Sequence, residues 1–455
     1  MLKRLYQLLR PTDSAAPTII PESEHHISKH DVSSAARKVI SNLKQAGYSA
    51  YLVGGGVRDF LLDFHPKDFD VATNATPEQT KAVFKNARLI GRRFRIVHVR
   101  FGREVIEVTT FRDSPQQDQP KKDHNQSDKG ILLRDNVYGD IRSDALRRDF
   151  TVNALYYDPE DGTIHDYTGG LKDLNERQLR IIGDPDARYK EDPVRMLRAV
   201  RFAAKLGFSL TSETEAPIRE HANYLADIPP ARLFEEVLKL FISGYATAIL
   251  TQLREFGLLA YLFPGTESYL QEDDPYYQKL IFATVANTDK RLRNNKRVTP
   301  AFIYAAMLWP SLHARMHELI NSHKVPPYEA MQQAAQGVIS QQLSYTAIPK
   351  RFLIPMREIW NLQLRFDKRD SRRAHQTLEH PRFRAAYDFL LLREEAGEQL
   401  DGLGMWWTSF QDANAEEKGK LLKDVPSSGK GRQRRRRKKP RKNNNSGDNG
   451  DNKQS

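Results

Sequence analysis

Between residues 27 and 183 the apolar positions switch repeatedly between helical and strand spacing. Residues 34–47 keep their apolar side chains on one helical face and end in a glycine, and residues 50–53 follow as a short apolar strand running into Gly54-Gly55-Gly56. Residues 69–71 predict a second strand. Thr76, with Pro77 at the first helical position and Gln79 three residues on, forms a capping box. Residues 95–101 and 105–111 alternate around Gly102-Arg103-Glu104 as a β-hairpin. Residues 113–129 are almost entirely polar and predict a mobile loop. From Asp192 to about Leu422 the period is helical, with helices expected over 231–243, 300–309, 328–342, 352–366 and 382–395 and no strand. No repeat of fixed period is visible.

Composition narrows this α/β-then-α reading. With 455 residues, 39% of them hydrophobic, the chain can bury two to four cores at roughly 100–200 residues per domain, so a wholly disordered chain is excluded. It has no cysteine. Disulfide scaffolds, Cys-ligated zinc, iron–sulfur clusters and thiol nucleophiles are therefore excluded, and an intracellular, cytoplasmic setting is expected. No apolar run approaches the ~18–20 residues that would span a bilayer. The opening MLKRLYQLLR reads as a short amphipathic helix with a basic face rather than a secretory signal. The formal charge is +13, but residues 426–455 hold eleven basic and two acidic residues. That tail cannot pack a core and is expected to be disordered. Lys430, Arg432, Arg434, Arg435, Arg436, Arg437, Lys438 and Lys439 are its candidate RNA contacts, suited to a phosphate backbone without sequence preference.

The chemistry concentrates in residues 53–70, VGGGVRDFLLDFHPKDFD. Glycines between a strand and a helix let backbone N–H groups approach a phosphate, with the positive end of the helix behind them. Arg58 in the first turn is better placed if an anion lies there. No Gly-Lys-Ser/Thr follows, so this is not a P-loop. Asp68 and Asp70 stand two apart, so an extended chain would turn both carboxylates to one face. Hard oxygen donors of that kind suit Mg²⁺, which binds through one or two carboxylates, waters and substrate phosphates. A glycine turn or an Asp-X-Asp alone is weak; the two at this spacing make a strong signal.

The stretch resembles the nucleotidyltransferase motif of the bacterial poly(A) polymerase and CCA-adding enzyme family. That resemblance implies a polymerase-beta-like α/β head, an all-α neck and body, nucleotide contacts from Gly55 and Arg58, and a two-metal Mg²⁺ site on Asp68 and Asp70. Relatives more often carry glycine at Asp63, but aspartate also tolerates a left-handed turn. Residues 147–153, RRDFTVN, resemble the family motif in which Asp149 completes the catalytic carboxylate set and Arg148 contacts nucleotide. Glu107 on the second hairpin strand is a weaker acidic candidate, more simply a solvent-facing residue. Residues 191–198, EDPVRMLR, resemble the base-selecting motif, which assigns Asp192, Arg195 and Arg198 to the incoming nucleotide. Read from the residues alone, Asp192 is a cap, Pro193 begins a helix and Gly207 ends it. Arg195, Arg198 and Arg201 recur on one face, where like charges repel by roughly 0.2–0.5 kcal/mol per pair unless an anion faces them.

The implied activity is template-independent transfer of AMP from ATP to RNA 3′ ends, releasing pyrophosphate. Residues 89–99, the lead-in to the glycine turn, and blocks at 228–240 and 380–392 resemble the poly(A) polymerase branch. CCA addition to tRNA is the alternative, and a non-catalytic RNA-binding protein is the alternative of another class. The expected division is an N-terminal extension (1–26), a catalytic head (27–183), a helical neck (184–265), an RNA-binding helical body (266–425) and the basic tail (426–455). RNA 3′ ends, ATP and RNA-decay proteins are the partners so implied. A second basic cluster at 350–373 includes Phe352, Trp360 and Phe366, with the last two expected to be helix core rather than RNA-stacking platforms.

Overall fold

The computed structural model describes residues 16–91, 95–113, 124–126, 132–135, 137–271 and 275–425. In the head, α1 (Ser34–Gln45) starts at Ser33, whose side chain accepts from Ala36 N, and buries Ala35, Ala36, Val39, Ile40 and Leu43. Gly47, at φ +87°, turns the chain back into β2 (Ala50–Val53). There follow α2 (Gly55–Leu61), β3 (Asp70–Thr73) and α3 (Pro77–Val83), the last with the expected Thr76/Gln79 capping box formed. Asp63 does adopt a left-handed conformation, at φ +60°.

The hairpin also forms, as β5 (Ile96–Phe101) against β6 (Glu104–Thr110), with β4 (Ala87–Ile90) on its outer side. Strands β9 (Leu155–Asp158) and β10 (Thr163–Asp166) complete a sheet of order β1-β10-β9-β2-β3-β6-β5-β4, where β1 is Thr18–Ile20. The N-terminal extension assigned to 1–26 thus contributes an edge strand to the head. Pairing is antiparallel except between β3 and β6. One face packs into the main core with α1. The other holds a smaller cluster of Val53, Ala72, Phe111, Ala145 and Tyr156 under α4 (Ile141–Arg147).

Two expectations are corrected. β7 (His124–Gln126), inside the stretch read as loop, pairs antiparallel with β8 (Leu132–Asp135), because backbone pairing needs no apolar pattern. The region beyond Asp192 is not strand-free: Ser209–Leu210 pairs parallel with Gln178–Leu179. Two-residue strands carry no readable period.

The chain is otherwise helical from α5 (Gly170–Asn175) and α6 (Pro185–Glu191) onward. The basic-stripe helix α7 (Val194–Leu206) ends at Gly207, φ +66°, as expected. It starts one residue later than read, with Pro193 at the cap, because Asp192 closes α6. In the body, Trp360 and Phe366 are buried, and Trp360 Nε1 donates to Ala305 O at 2.9 Å. Among the described residues no helix is long and apolar enough to cross a membrane.

Candidate active site

The end of β2, the start of β3 and the segment after α4 meet at Gly54. This residue has φ +77° and ψ −136°, a conformation suited to glycine. A β-carbon built on it would lie 3.5 Å from Arg148 Nη1, 3.9 Å from Asn153 O and 4.0 Å from Asp70 Oδ2. Gly55, the expected nucleotide contact, is instead the first helical residue and has an ordinary φ; its added β-carbon would meet Arg58 Nη2 at 3.3 Å.

Register fixes the acidic side of the site. Asp70 pairs with Val53 on one side and with Glu107, in parallel, on the other. Burial pushes the Asp70 carboxyl up to about 6, Glu107 and Asp68 adding to the rise and Arg148 opposing it. Asp68 and Asp70 are thus close enough to interact, but not as two residues of one strand. The strand begins at Asp70, and Asp68 is exposed in the bend before it. Glu107 also lies 3.2 Å from His98 Nε2.

Arg148 faces this acidic group. Its Nε donates to Tyr156 Oη at 3.0 Å and its Nη2 to Asp144 Oδ2 at 2.9 Å, while the guanidinium lies over the Tyr156 ring. Burial would lower its pKa; Tyr156 and Asp144 raise it above the ordinary arginine value, so the charge is permanent. Its Nη1 is the nitrogen nearest Gly54.

Two further residues expected at the site are engaged by protein partners. Arg58 lies in the first turn of α2. It is 2% exposed, donating from Nε and Nη2 to Asp59 Oδ1 and from Nη1 to Asn153 Oδ1 at 2.5 Å. Asp149 is bonded on both carboxylate oxygens. Its Oδ1 accepts from Phe150 N and Asn153 Nδ2, and its Oδ2 from Arg198 Nε at 2.7 Å. Burial alone would raise this carboxyl, but Arg198, Asn153 and the Phe150 amide hold it at about 2. Hydrogen bonds from Ile182 N to Asp149 O and from Thr151 N to Arg180 O tie this segment to the stretch leading into α6.

Residues 191–198, which resemble the base-selecting motif, are held from behind. Glu191 Oε2 accepts from Arg195 Nη1 at 2.6 Å and from Arg188 Nη1 at 2.7 Å, and Arg195 Nη1 also donates to Arg188 O. Burial favours a protonated Glu191, yet Arg195 and Arg188 keep its pKa below the usual range. Arg188 Nη2 then reaches the carbonyls of Arg147 and Arg148 at 2.5 and 2.6 Å. Asp192 Oδ2 accepts from Arg232 Nη2 at 2.7 Å. Sequence reasoning assigned no role to Glu191 or Asn153, although both lie inside quoted motifs. Arg188, Arg232, Asp144 and Tyr156 carried no local signal. The tail residues 430–439 lie outside the described residues.

The donor set suits a hard cation. Among the described residues no three His, Asp or Glu side chains form a metal cage by themselves. Mg²⁺ needs no such cage, since substrate phosphates and waters complete its shell. The mutual repulsion of Asp70, Glu107 and Asp68 is the charge a bound cation would relieve.

Comparison with known proteins agrees across the chain. Residues 50–180 match a family described as the poly A polymerase head domain, 207–270 a probable RNA- and SrmB-binding site of polymerase A, and 323–442 the polymerase A arginine-rich C-terminus. Poly(A) polymerase I of Salmonella typhi is 49% identical over 424 residues, 92% of this chain and 91% of that protein. A CCA-adding enzyme of Geobacillus stearothermophilus is 37% identical over 277 residues, covering 61% of this chain and 59% of that protein. The solved structure of a tRNA-processing enzyme (apo form I) shares the fold, with TM-score 0.57, 23% identity, and 86% and 95% of the two chains covered. The chain belongs to the bacterial poly(A) polymerase I family.

Proposed function

We propose that the Gly54–Asp70–Arg148 site carries out template-independent adenylyl transfer from ATP to RNA 3′ ends. The protein is a polynucleotide adenylyltransferase by family. The carrying observation at the site is the convergence of a glycine backbone, a charged Arg148 and a crowded carboxylate group within one side chain's reach.

In the reaction the primer 3′-oxygen bonds to the α-phosphorus, the bond to the bridging oxygen breaks, and pyrophosphate leaves with that electron pair; the hydroxyl proton passes to solvent. Asp68 and Asp70 would hold Mg²⁺, with Glu107 adjoining. When bound there, Mg²⁺ would supply Lewis acidity, favouring ionisation of the attacking hydroxyl and offsetting charge on the leaving pyrophosphate. The Gly54–Gly55 turn leaves room for the triphosphate, and Arg148 Nη1 presents it with a fixed charge. Asp192 and Arg195 read the base edge, Arg195 being aimed by Glu191. Arg58 and Asp149 act through others, Arg58 on Asn153 and Asp149 on Arg198.

CCA addition has less support, because the CCA-adding relative matches 61% of the chain against 92% for the poly(A) polymerase. Intact Asp68 and Asp70 argue against a non-catalytic RNA binder. We assign the basic tail and helical body to RNA, the enzyme to the cytoplasm, and the tail it adds to marking RNA for decay together with decay proteins. The test supplies a generic RNA 3′ end, Mg²⁺ and each nucleoside triphosphate separately. Long A-only extension is expected. C and A addition confined to tRNA ends would move the reading to CCA addition, and RNA binding without incorporation to a scaffold.

A further inference from the structure

Half of one face of the head sheet is uncovered. Ile106 and Val108 on β6 and Val97 and Val99 on β5 are at most 1% exposed, and all four lie in the main core. Strand alternation turns Val105 and Glu107 on β6, Ile96, His98 and Arg100 on β5, and Arg88 on β4 to the opposite face. There Val105 is 37% exposed, and Arg88 and Arg100 are exposed as well. Among the described residues the small cluster under α4 takes Val53 from β2 and Ala72 from β3, but nothing from β4, β5 or β6.

Register sets this face in line with Asp70. Asp70 pairs with Glu107, Glu107 with His98 and His98 with Arg88, one residue per strand from β3 to β4. At ~4.8 Å between strands the row spans roughly 14 Å. Its charge changes sign on the way. Asp70 and Glu107 form the acidic end, with His98 Nε2 3.2 Å from Glu107 Oε1. Arg88 forms the cationic end, joined on β5 by Arg100. Arg100 donates from Nε to Gly102 O at 3.1 Å, and among the described residues no hydrogen bond or ion pair engages Arg88.

Phosphoryl transfer sets the attacking and leaving oxygens roughly in line. The pyrophosphate leaves on the β2 side of Asp70, where Gly54 and Arg148 Nη1 meet. The attacking hydroxyl then enters from the other side of Asp70, the side of β6, β5 and β4. An RNA 3′ end has the matching polarity, since its terminal hydroxyl carries no phosphate and each earlier link carries a negative one. We infer that the uncovered face of β6, β5 and β4 is the track for the primer's last nucleotides, with the hydroxyl at Asp70 and the phosphates behind it on Arg88 and Arg100. This rests on the adenylyltransferase reading above. Ile96 and Val105 give the track an apolar floor without donors or acceptors for base edges, so it takes any sequence.

The test uses the full-length protein and a hexa-adenylate RNA. Equilibrium binding of its 3′-deoxy form is measured beside KM for the oligonucleotide and for ATP in extension. Arg88→Gln combined with Arg100→Gln should weaken the oligonucleotide by about tenfold or more, as expected for lost charge-assisted bonds, and leave KM for ATP where it was. The salt slope of binding should flatten by about 1.4, for two single-strand phosphates. Should that double variant melt early, Val105→Glu, which sets a carboxylate on the track, must weaken the same oligonucleotide. Unchanged affinity in both folded variants overturns the track, and the uncovered face would then fit a protein partner. A rise confined to KM for ATP also overturns it, since the face would then hold the triphosphate. A wild-type protein that binds the oligonucleotide but fails to transfer AMP sinks the adenylyltransferase reading alone, because the binding comparison needs no turnover.

Discussion

A methyl group at residue 54 would require a left-handed backbone and would sit 3.5 Å from Arg148 Nη1, whereas one at residue 55 would join a helix and press on a side chain at 3.3 Å. Strain of that backbone kind costs ~1–3 kcal/mol, and alanine is favoured over glycine inside a helix by ~1 kcal/mol. Gly54→Ala should therefore lower kcat/KM by roughly five- to hundredfold, while Gly55→Ala stays within a few fold and melts no earlier. Equal losses in the two variants would show that the turn does not work this way. For Asp70, replacement by alanine should abolish extension yet leave RNA affinity nearly intact in a binding titration; a large loss of RNA binding would count against its role with the cation. Asp68, Asp70 and Arg148 could be singled out as candidates because two short motifs carry them. The pairings of Arg58 with Asn153 and of Asp149 with Arg198 could not, since they join residues 95 and 49 positions apart.

Among elements, the link between α6 and the segment after α4 joins the proposed base-reading residues to the proposed phosphate end of the site. Beside the backbone bonds of Asp149 and Thr151, one partly buried side chain makes it: Arg188 binds Glu191 and two backbone carbonyls at once. Lysine at 188 keeps the charge but lacks the planar fork that serves three acceptors. Hydrogen bonds to a charged group are worth ~1.5–3 kcal/mol each, so Arg188→Lys should lower the melting temperature and raise KM for ATP several-fold, leaving RNA affinity unchanged. An unaltered KM would mean that Glu191 aims Arg195 without help. At this scale the hairpin, the capping box and the glycine stop of α7 were readable, because each depends on neighbours in sequence. Strand order was not. The Asp70–Glu107 pairing that crowds the carboxylates bridges 37 residues, and Glu107 looked like an ordinary solvent-facing position until β6 lay beside β3.

Over the whole molecule the charge separates into two functions. The described head and neck use individual arginines, nearly all buried or paired, at defined acceptors. Nine of the thirteen net positive charges lie in residues 426–455, which hold eleven basic and two acidic residues. Ten of those cations fall between 430 and 442, where the arginine-rich family match ends. Each single-strand phosphate neutralised adds about 0.7 to the slope of log affinity against log salt. Ending the chain at residue 425 should therefore weaken RNA binding at 50 mM salt far more than at 200 mM, and flatten that slope by several units. Because Asp68, Asp70, Arg148 and residues 191–198 remain, kcat at saturating RNA and KM for ATP should hold. Anisotropy of a labelled RNA across the salt range, beside extension assays at saturating primer, measures both. If the slope stayed steep after truncation, the general RNA affinity would reside in the helical body, where Arg351, Arg365 and Arg372 are exposed. If kcat fell with the slope, the tail would be placing the primer end rather than retaining the strand.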